Sequence, residues 1–299
     1  MKIGLLDIDG HNFPNLALMK ISAFHKQKGD TVEWATPLER YDMIYKSKVF
    51  TFTPDDTRIY RAGKIIKGGT GYDIKSKLPE EIESIRAPDY TLYPKYKFSL
   101  QFYSRGCIRK CPFCLVSEKE GYIYPVEPMK LNNIGHIEVL DNNFFANPEW
   151  KNAIADLLKQ KREVKFHGVD IRIMNEEQAY WLNKIHLKNG IHIAWDMPQM
   201  DLTDKLKEIV KYIKPYKITC YVLIGFNSTP EQDLYRLRTL KRFGILPFVQ
   251  AYRDFNNERK LTQYEKDLQR WANRAWLFKK MDFTQYKPRN NFCCDQYFK

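Results

Sequence analysis

The stretch FSLQFYSRGCIRKCPFC, from Phe98 to Cys114, holds three of the six cysteines in this chain. Its first residues are typical of a buried β-strand, which leads straight into a basic loop marked by a glycine. The loop spaces its cysteines as C-x-x-x-C-x-x-C, at Cys107, Cys111 and Cys114. Three thiolates on one short loop can bind three corners of an iron–sulfur cubane, whereas a 4Fe–4S cluster normally takes four cysteines. Because no fourth cysteine lies nearby, we predict that one iron stays open to a non-protein ligand.

The same cysteine spacing is compatible with three competing interpretations. A structural zinc site would need a fourth Cys or His, and the nearest downstream candidate is His136, beyond a proline-containing stretch. A thioredoxin-like pair of Cys111 and Cys114 would leave Cys107 unused. Coincidence among so few cysteines is the third interpretation. The spacing favours an iron–sulfur cluster over all three.

The bulk composition is that of an ordinary globular protein. The chain has 299 residues, of which 43% are hydrophobic and 28% charged. This length suits one large α/β domain, or one such domain with a small partner. The cysteines are too sparse for a disulfide scaffold, and no apolar run approaches the roughly 20 residues that span a bilayer. The first residues do not resemble a signal peptide, so we expect a cytoplasmic protein without a membrane partner.

The charge balance allows a polyanionic partner but does not require one. The formal net charge is +13, from 49 basic and 36 acidic residues. Such a balance is compatible with nucleic acid or a phosphorylated substrate. The basic residues are spread along the chain instead of forming one arm, which favours a role in solubility.

Strand-like and helix-like segments alternate almost throughout the chain, which is typical of a parallel α/β protein. We predict four segments: a Rossmann-like domain over residues 1–88, a linker over 89–97, a second domain over 98–255 and a helical extension over 256–299. The second domain contains six strand–helix units, which form either an open sheet or a curved partial barrel. Both arrangements place ligands at the carboxyl ends of the strands, where the cysteine loop falls.

The segment RGCIRKCPFC, from Arg105 to Cys114, resembles the signature loop of the radical S-adenosylmethionine (radical SAM) superfamily. The shared features are the glycine before the first cysteine, the three-then-two spacing and Phe113 before the last cysteine. The resemblance extends at the level of pattern from about Phe98 to Tyr252. It implies an α/β fold in which a partial (β/α)6 barrel of the TIM type follows a small Rossmann-like domain.

The resemblance also implies a chemistry. The three cysteines would ligate a 4Fe–4S cluster, and S-adenosyl-L-methionine (SAM) would chelate the open iron. One electron from the cluster would cleave SAM and release a 5′-deoxyadenosyl radical, which acts on a substrate that the sequence does not reveal. The electron would come from an external donor such as flavodoxin or ferredoxin.

Residues at the strand ends are the implied SAM contacts, together with Phe113 in the loop. After the second strand, Asp141, Asn142 and Asn143 stand where the family often has a glycine- and acid-containing motif for the SAM amine. After the third strand, Arg172 could pair with the SAM carboxylate, and Asp170 could orient it or meet a ribose hydroxyl. The alternatives are a turn that approaches a helix at Asp141 and a structural ion pair between Asp170 and Arg172.

Later strand ends supply the remaining implied contacts. Asp196 is placed to accept from ribose hydroxyls, although a helix cap would account for it equally well. Ile224 and Gly225 would lie against the adenine, since a glycine lets the backbone approach a planar base. His167, on the third strand, is expected to be a core histidine, and the alternative is a contact with the substrate.

The N-terminal block has a second, weaker resemblance, to the cobalamin-binding domain that some radical SAM enzymes carry. That domain often contains D-x-H-x-x-G, and here Asp9 and His11 match while Pro14 replaces the glycine. We therefore expect a reduced relative that does not bind cobalamin. The leading hypothesis is a radical SAM enzyme. The alternative is a non-catalytic zinc or iron–sulfur module, possibly one that binds nucleic acid.

Overall fold

The structure, a computed structural model, describes residues 1–254 and 259–299. The predicted boundary between residues 255 and 256 lies outside the described residues. Within the described part of the chain, no helix is both long enough and apolar enough to cross a membrane.

The N-terminal unit is a parallel four-stranded sheet with a helix on one face. Asn15 caps that helix by accepting a hydrogen bond from the backbone N–H of Leu18, and Leu18 and Met19 pack against Ile3 and Leu5. The sheet order is β2-β1-β3-β4. The elements are β1 (Lys2–Asp7), α1 (Leu16–Gln27), β2 (Thr31–Trp34), β3 (Arg40–Ser47), β4 (Arg61–Gly68) and the short α2 (Glu80–Glu83).

The segment that we predicted to be a linker, residues 89–97, packs onto the N-terminal unit. Leu92 and Tyr93 are buried in the same core cluster as β1 and α1. The Tyr93 hydroxyl donates to Asp7 over 2.7 Å, and Asp89 accepts from Ser22 of α1 over 2.6 Å. This segment therefore belongs to the packed body of the protein, and the domain boundaries stay a prediction.

The second unit contains two parallel three-stranded sheets, with orders β5-β8-β9 and β10-β11-β12. An isolated parallel bridge between Val169 and Ile193 joins them, so the six strands follow one another in chain order. The elements are β5 (Phe98–Gln101), β6 (Ser104–Arg105), α3 (Val116–Lys119), β7 (Tyr124–Pro125), β8 (His136–Val139), α4 (Trp150–Gln160), β9 (Val164–Phe166), α5 (Glu176–Lys184), β10 (Ile191–Ala194), α6 (Thr203–Ile209), β11 (Ile218–Ile224), α7 (Pro230–Arg242) and β12 (Leu246–Ala251).

One face of these strands packs against the helices to form the main core. Its side chains from β8 and β9 are fully buried: Ile137, Val139, Val164 and Phe166. After β12 the chain returns along this core in α8 (Gln263–Ala272) and α9 (Ala275–Lys280). Trp271 of α8 is completely buried and lies against Phe278 and Phe283. The observed fold is thus mixed α/β with parallel sheets, while closure into a partial barrel stays a prediction.

Candidate functional site

The cysteine loop leaves the short strand β6 through a turn that requires glycine. Gly106 has a φ of +77°, and a Cβ atom there would lie 2.5 Å from the carbonyl oxygen of Tyr122. The next residue, Cys107, donates its backbone N–H to the Gly121 carbonyl over 3.2 Å. The start of the loop is therefore closed against its own end, residues 121–122.

Glu120 holds the base of this loop with three hydrogen bonds. Its carboxylate accepts from the Gly106 N–H and from Arg105, both over 2.8 Å, and from the Asn142 amide over 2.9 Å. Asn142, which we predicted to contact SAM, is thus engaged with the loop. Charge-assisted bonds of this kind are the stronger ones in proteins, so Glu120 fixes the loop to the end of β8.

Asp170 joins the cysteine loop to the ends of two strands. It binds Arg172 in fork geometry over 2.6 and 2.8 Å, and it accepts from Arg109 of the loop over 3.2 Å and from Asn143 over 3.4 Å. Burial alone would raise the pKa of Asp170, but the bonds and charge of Arg172 outweigh it and lower the pKa. The carboxylate therefore remains an anion at neutral pH.

The three cysteine sulfurs lie in partly buried surroundings with N–H donors and cations close by. Burial raises the pKa of Cys111 and Cys114, while the charge of Arg172 acts in the opposite direction on Cys111. The Cys107 sulfur accepts from the Arg109 backbone N–H over 3.4 Å and from the Asn143 amide over 3.9 Å. Hydrogen bonds to cysteine sulfur are one of the means by which proteins tune an iron–sulfur cluster, so this donor set fits a cluster.

The described residues do not form a site for a single metal ion. Across residues 1–254 and 259–299, no three His, Cys, Asp or Glu side chains are grouped closely enough to bind one ion. In a cubane each cysteine binds a different iron atom, so its sulfurs stand further apart than those around one ion.

Asn143 carries an unsatisfied buried acceptor beside Cys107. The residue is 2% exposed, and its Oδ1 has no hydrogen-bond partner among the described residues. Its Nδ2 points to the Asp170 carboxylate and the Cys107 sulfur, so the amide cannot be reversed without losing both bonds. A buried acceptor without a donor is costly, and an N–H group of a bound ligand would satisfy it.

Asp141, predicted to receive the SAM amine, has another set of partners. It is 1% exposed, and its two oxygens accept from the Tyr103 backbone N–H and the Ser104 hydroxyl. Burial raises the pKa of Asp141 to about 6. This side chain ties the segment after β5 to the end of β8, and a contact with SAM stays a prediction.

Asp196 lies on the same side of the molecule as the cysteine loop. Burial raises the pKa of Asp196 to about 6, and the charges of Arg172 and Arg236 oppose the shift. Its charge also acts on Cys111 and Cys114. The structure thus brings Asp170, Arg172 and Asp196 together beside the loop.

Gly225 and Ile224 end β11 under a cover from the C-terminal segment. Gly225 has a φ of +73°, and a Cβ there would clash with the side chains of Glu265 and Arg259, which form an ion pair. Ile224 is completely buried. The glycine thus makes room for a protein side chain, and a role against adenine stays a prediction.

Phe113 reaches from the cysteine loop to the ends of the last two strands. Its ring lies 5.4 Å from that of Phe226, which in turn lies 4.8 Å from that of Tyr252. These edge-on contacts connect the loop to the segments after β11 and β12.

The prediction that His167 is a core histidine is wrong. Its side chain is 34% exposed and contacts Glu138 through Nε2. The residues that sequence reasoning missed are Arg109, Glu120 and Glu138, whereas Asn143 belongs to the segment expected to face the SAM amine. Only Glu138 left a signal, since its strand alternates polar and apolar side chains in HIEV.

The comparisons with known proteins support the fold. No protein-family model matches this chain, and no curated protein matches its sequence. Among solved structures, the chain is similar to the radical S-adenosylmethionine methyltransferase TsrM from Kitasatospora setae, which holds cobalamin and a 4Fe–4S cluster. The TM-score is 0.62 at 11% sequence identity, over 84% of this chain and 74% of TsrM. The chain therefore has a fold similar to that of TsrM, a mixed α/β fold with parallel sheets.

One expectation from the sequence has to be corrected. We expected no cobalamin because Pro14 replaces the glycine of the D-x-H-x-x-G motif. That expectation is contradicted, because the solved structure of similar fold is one that holds cobalamin. In the present chain, His11 packs its ring against Trp34 at 4.1 Å, and Asp9 accepts from Val49 and Thr53. The missing glycine does not suffice to exclude cobalamin, because a single residue of a loop motif does not decide what a fold binds.

Proposed function

We propose that this protein is a radical SAM enzyme that holds a 4Fe–4S cluster on Cys107, Cys111 and Cys114. The observation that carries the proposal is the cysteine loop itself, fixed at the carboxyl end of β5 by Glu120 and Asp170. The similarity of the fold to that of TsrM supports it. In this proposal the six strands of the second unit form the partial barrel that surrounds the site.

The proposal gives each neighbouring residue a task. The free Oδ1 of Asn143 accepts from the amino group of SAM, in place of the Asp141 that we first predicted. Arg172, whose charge reaches Cys111, attracts the SAM carboxylate, and Asp196 accepts from ribose hydroxyls. Asp170 is a positioning residue, since it acts by orienting Arg172 and Arg109.

When bound, the cluster would supply the electron that cleaves SAM, and a flavodoxin or ferredoxin would resupply it. The protein's own part is to position the sulfonium and to keep water from the site, because cofactors carry the difficult chemistry in such enzymes. Phe113, Phe226 and Tyr252 provide apolar cover on one side of the loop.

The test is anaerobic loading of the full chain with iron, sulfide, SAM and a reductant. We expect bound iron and 5′-deoxyadenosine from the native protein, and loss of the nucleoside in Cys111→Ala. Cys293→Ala is the matched control, because the Cys293 thiol donates to the Thr284 carbonyl in the C-terminal segment, outside the cysteine loop, and it should behave as the native protein. An intact cluster that yields no 5′-deoxyadenosine would refute the enzyme.

The same preparation separates the alternatives. Bound zinc without iron would favour the non-catalytic module, and salt-sensitive retention on RNA would add a nucleic-acid partner to either function. Cobalamin is tested in parallel by its own absorbance after gel filtration with the protein. The result decides whether this chain resembles TsrM in its second cofactor as well as in its fold.

A further inference from the structure

The strands of the second unit have a second face, turned away from the helix-packed core. Side chains alternate along a strand, so the residues next in sequence to the buried Ile137 and Phe166 point to this opposite face. On β8, β9 and β10 this face carries five titratable side chains, which we call the inner-face cluster: His136, Glu138, Lys165, His167 and His192. Burial lowers the pKa of His192, and the charges of Lys165 and His167 act on it.

Glu138 is the centre of the inner-face cluster. Its side chain is 5% exposed, and its two oxygens contact Nε2 of His136 over 2.7 Å and Nε2 of His167. Lys165 approaches to 3.5 Å. Burial alone would raise the pKa of Glu138, but the histidine bonds outweigh it and lower the pKa to about 2. Glu138 is therefore an anion at neutral pH.

The charge on Glu138 decides the tautomers of its two histidines. An ionised carboxylate can only accept hydrogen bonds, so Nε2 of each ring must carry a proton. In neutral His167 the lone pair then lies on Nδ1, and Nδ1 bonds to no group of the described residues. The side chain as a whole is 34% exposed, so the ring is open to molecules from outside the protein.

The position of His167 places it beside the cysteine loop. It directly follows β9, and its backbone N–H donates to the Val139 carbonyl over 3.0 Å. Three residues later, Asp170 bonds to Arg109 of the loop. On the other side, the ring of Phe13 from the N-terminal unit stands 6.4 Å away. His167 therefore lies between the two units, at the end of the strands that the cysteine loop occupies.

A buried ion pair is weak evidence for a role in stability, since apolar side chains of similar volume often give a protein of equal or greater stability. An imidazole oriented by a carboxylate, with its second nitrogen free, is instead what enzymes use to accept a proton. We propose that His167, held by Glu138, is the proton acceptor that contacts the substrate, a molecule with a weakly acidic N–H or O–H group. The inference rests on the proposed function.

The proton balance of this step is simple. The N–H or O–H bond of the substrate breaks as a bond from its hydrogen to Nδ1 of His167 forms, and the electron pair stays on the substrate. Glu138 stabilises the resulting imidazolium, which later returns its proton to water. Glu138 is the positioning residue in this pair.

The experiment measures the rate at which each histidine reacts with diethyl pyrocarbonate, which attacks a nitrogen lone pair. Peptide mapping by mass spectrometry assigns the label to each residue. His186 is the internal reference, because its side chain is 77% exposed and stands 3.9 Å from Glu163. If exposure alone set the rate, His186 would react first. We expect His167 to react faster, and Glu138→Gln to lower the ratio of the two rates about fivefold, the equivalent of exchanging a charge-assisted hydrogen bond for a neutral one.

Glu163→Gln is the matched control and should leave the His167 rate unchanged. Should Glu138→Gln fail to fold, ¹⁵N NMR of the native chain decides the matter, since we expect the Nε2–H tautomer at His167. Slower labelling of His167 than of His186, an unchanged ratio in Glu138→Gln, or the Nδ1–H tautomer would each overturn the proposal. Neither measurement needs the cluster, so failure of iron loading leaves this result readable.

Discussion

Arg236 offers the sharpest test of how the strand ends near the site are held. Its guanidinium is completely buried and donates to the carbonyls of Trp195 over 2.6 Å and Leu223 over 2.9 Å. It also bonds the buried carboxylate of Asp233 over 2.6 Å, which the Tyr264 hydroxyl contacts at 3.2 Å. One side chain thus joins the ends of β10 and β11, on which Asp196 and Gly225 depend for their places.

Arg236→Met removes the donor and leaves the Asp233 carboxylate buried. Breaking a buried pair by removing one partner costs about 3–5 kcal/mol, and most of the cost comes from the charge left behind. Adding Asp233→Leu removes that charge, so the double variant should regain on the order of 2 kcal/mol over the single one. Burial already raises the pKa of Asp233, which shows how unfavourable this position is for a charge.

The assay is urea unfolding followed by tryptophan fluorescence, to which the buried Trp195 and Trp271 contribute. The change in the free energy of unfolding is the shift of the midpoint multiplied by the slope m. Arg238→Met is the control, because Arg238 lies on the same helix but pairs at the surface with Asp282 and should cost under about 1 kcal/mol. The reasoning fails if the double variant is no more stable than Arg236→Met, or if the two single arginine variants cost the same.

Two further predictions concern the loop and the inner face. Gly106→Ala should abolish iron loading, because the new Cβ would clash with the Tyr122 carbonyl. Gly121 has a similar φ of +82° but open space around it, so Gly121→Ala should keep most of the iron loading. Iron analysis of both variants checks this. The pairing with histidine lowers the pKa of Glu138 from its ordinary value near 4.5 to about 2. The pairing therefore stabilises the fold fully at a pH above about 4.5, and this stabilisation is lost as the pH falls from about 4.5 to 2. Glu138→Gln should therefore flatten the loss of stability in this range, measured by acid titration of tryptophan fluorescence, and an unchanged slope would contradict the pairing.

The cysteine loop could be found from the sequence because all of its information is local. Three thiolates within eight residues define a site without any knowledge of distant contacts. The contacts that fix the loop could not be predicted in this way. Asn143 and Asp170 follow separate strands, and only the pairing of those strands brings both to Cys107 and Arg109.

The position of His167 differs from the expectation for a related reason. Strands of parallel sheets are commonly buried on both faces, so a histidine in such a strand is expected to be part of the core. The alternation HIEV and VKFH shows that two faces differ, but only the structure shows that the helices cover the apolar one. The edge strand β4 was also missed, because its exposed lysines leave no apolar run to recognise.

The proposed cofactor site and the proposed proton acceptor share one short segment, residues 167–172. Gly168 lies so close to the end of β8 that a Cβ there would stand 2.3 Å from the Asp141 carbonyl, and its own carbonyl accepts from the Phe144 N–H over 3.0 Å. At the other end of the segment, Asp170 is bonded to Arg109 and Arg172. A segment held at both ends cannot move His167 without moving the bonds to the cysteine loop. Since reacting groups must be placed to well within about 1 Å, this coupling gives the fold a physical reason to build both sites at the same strand end.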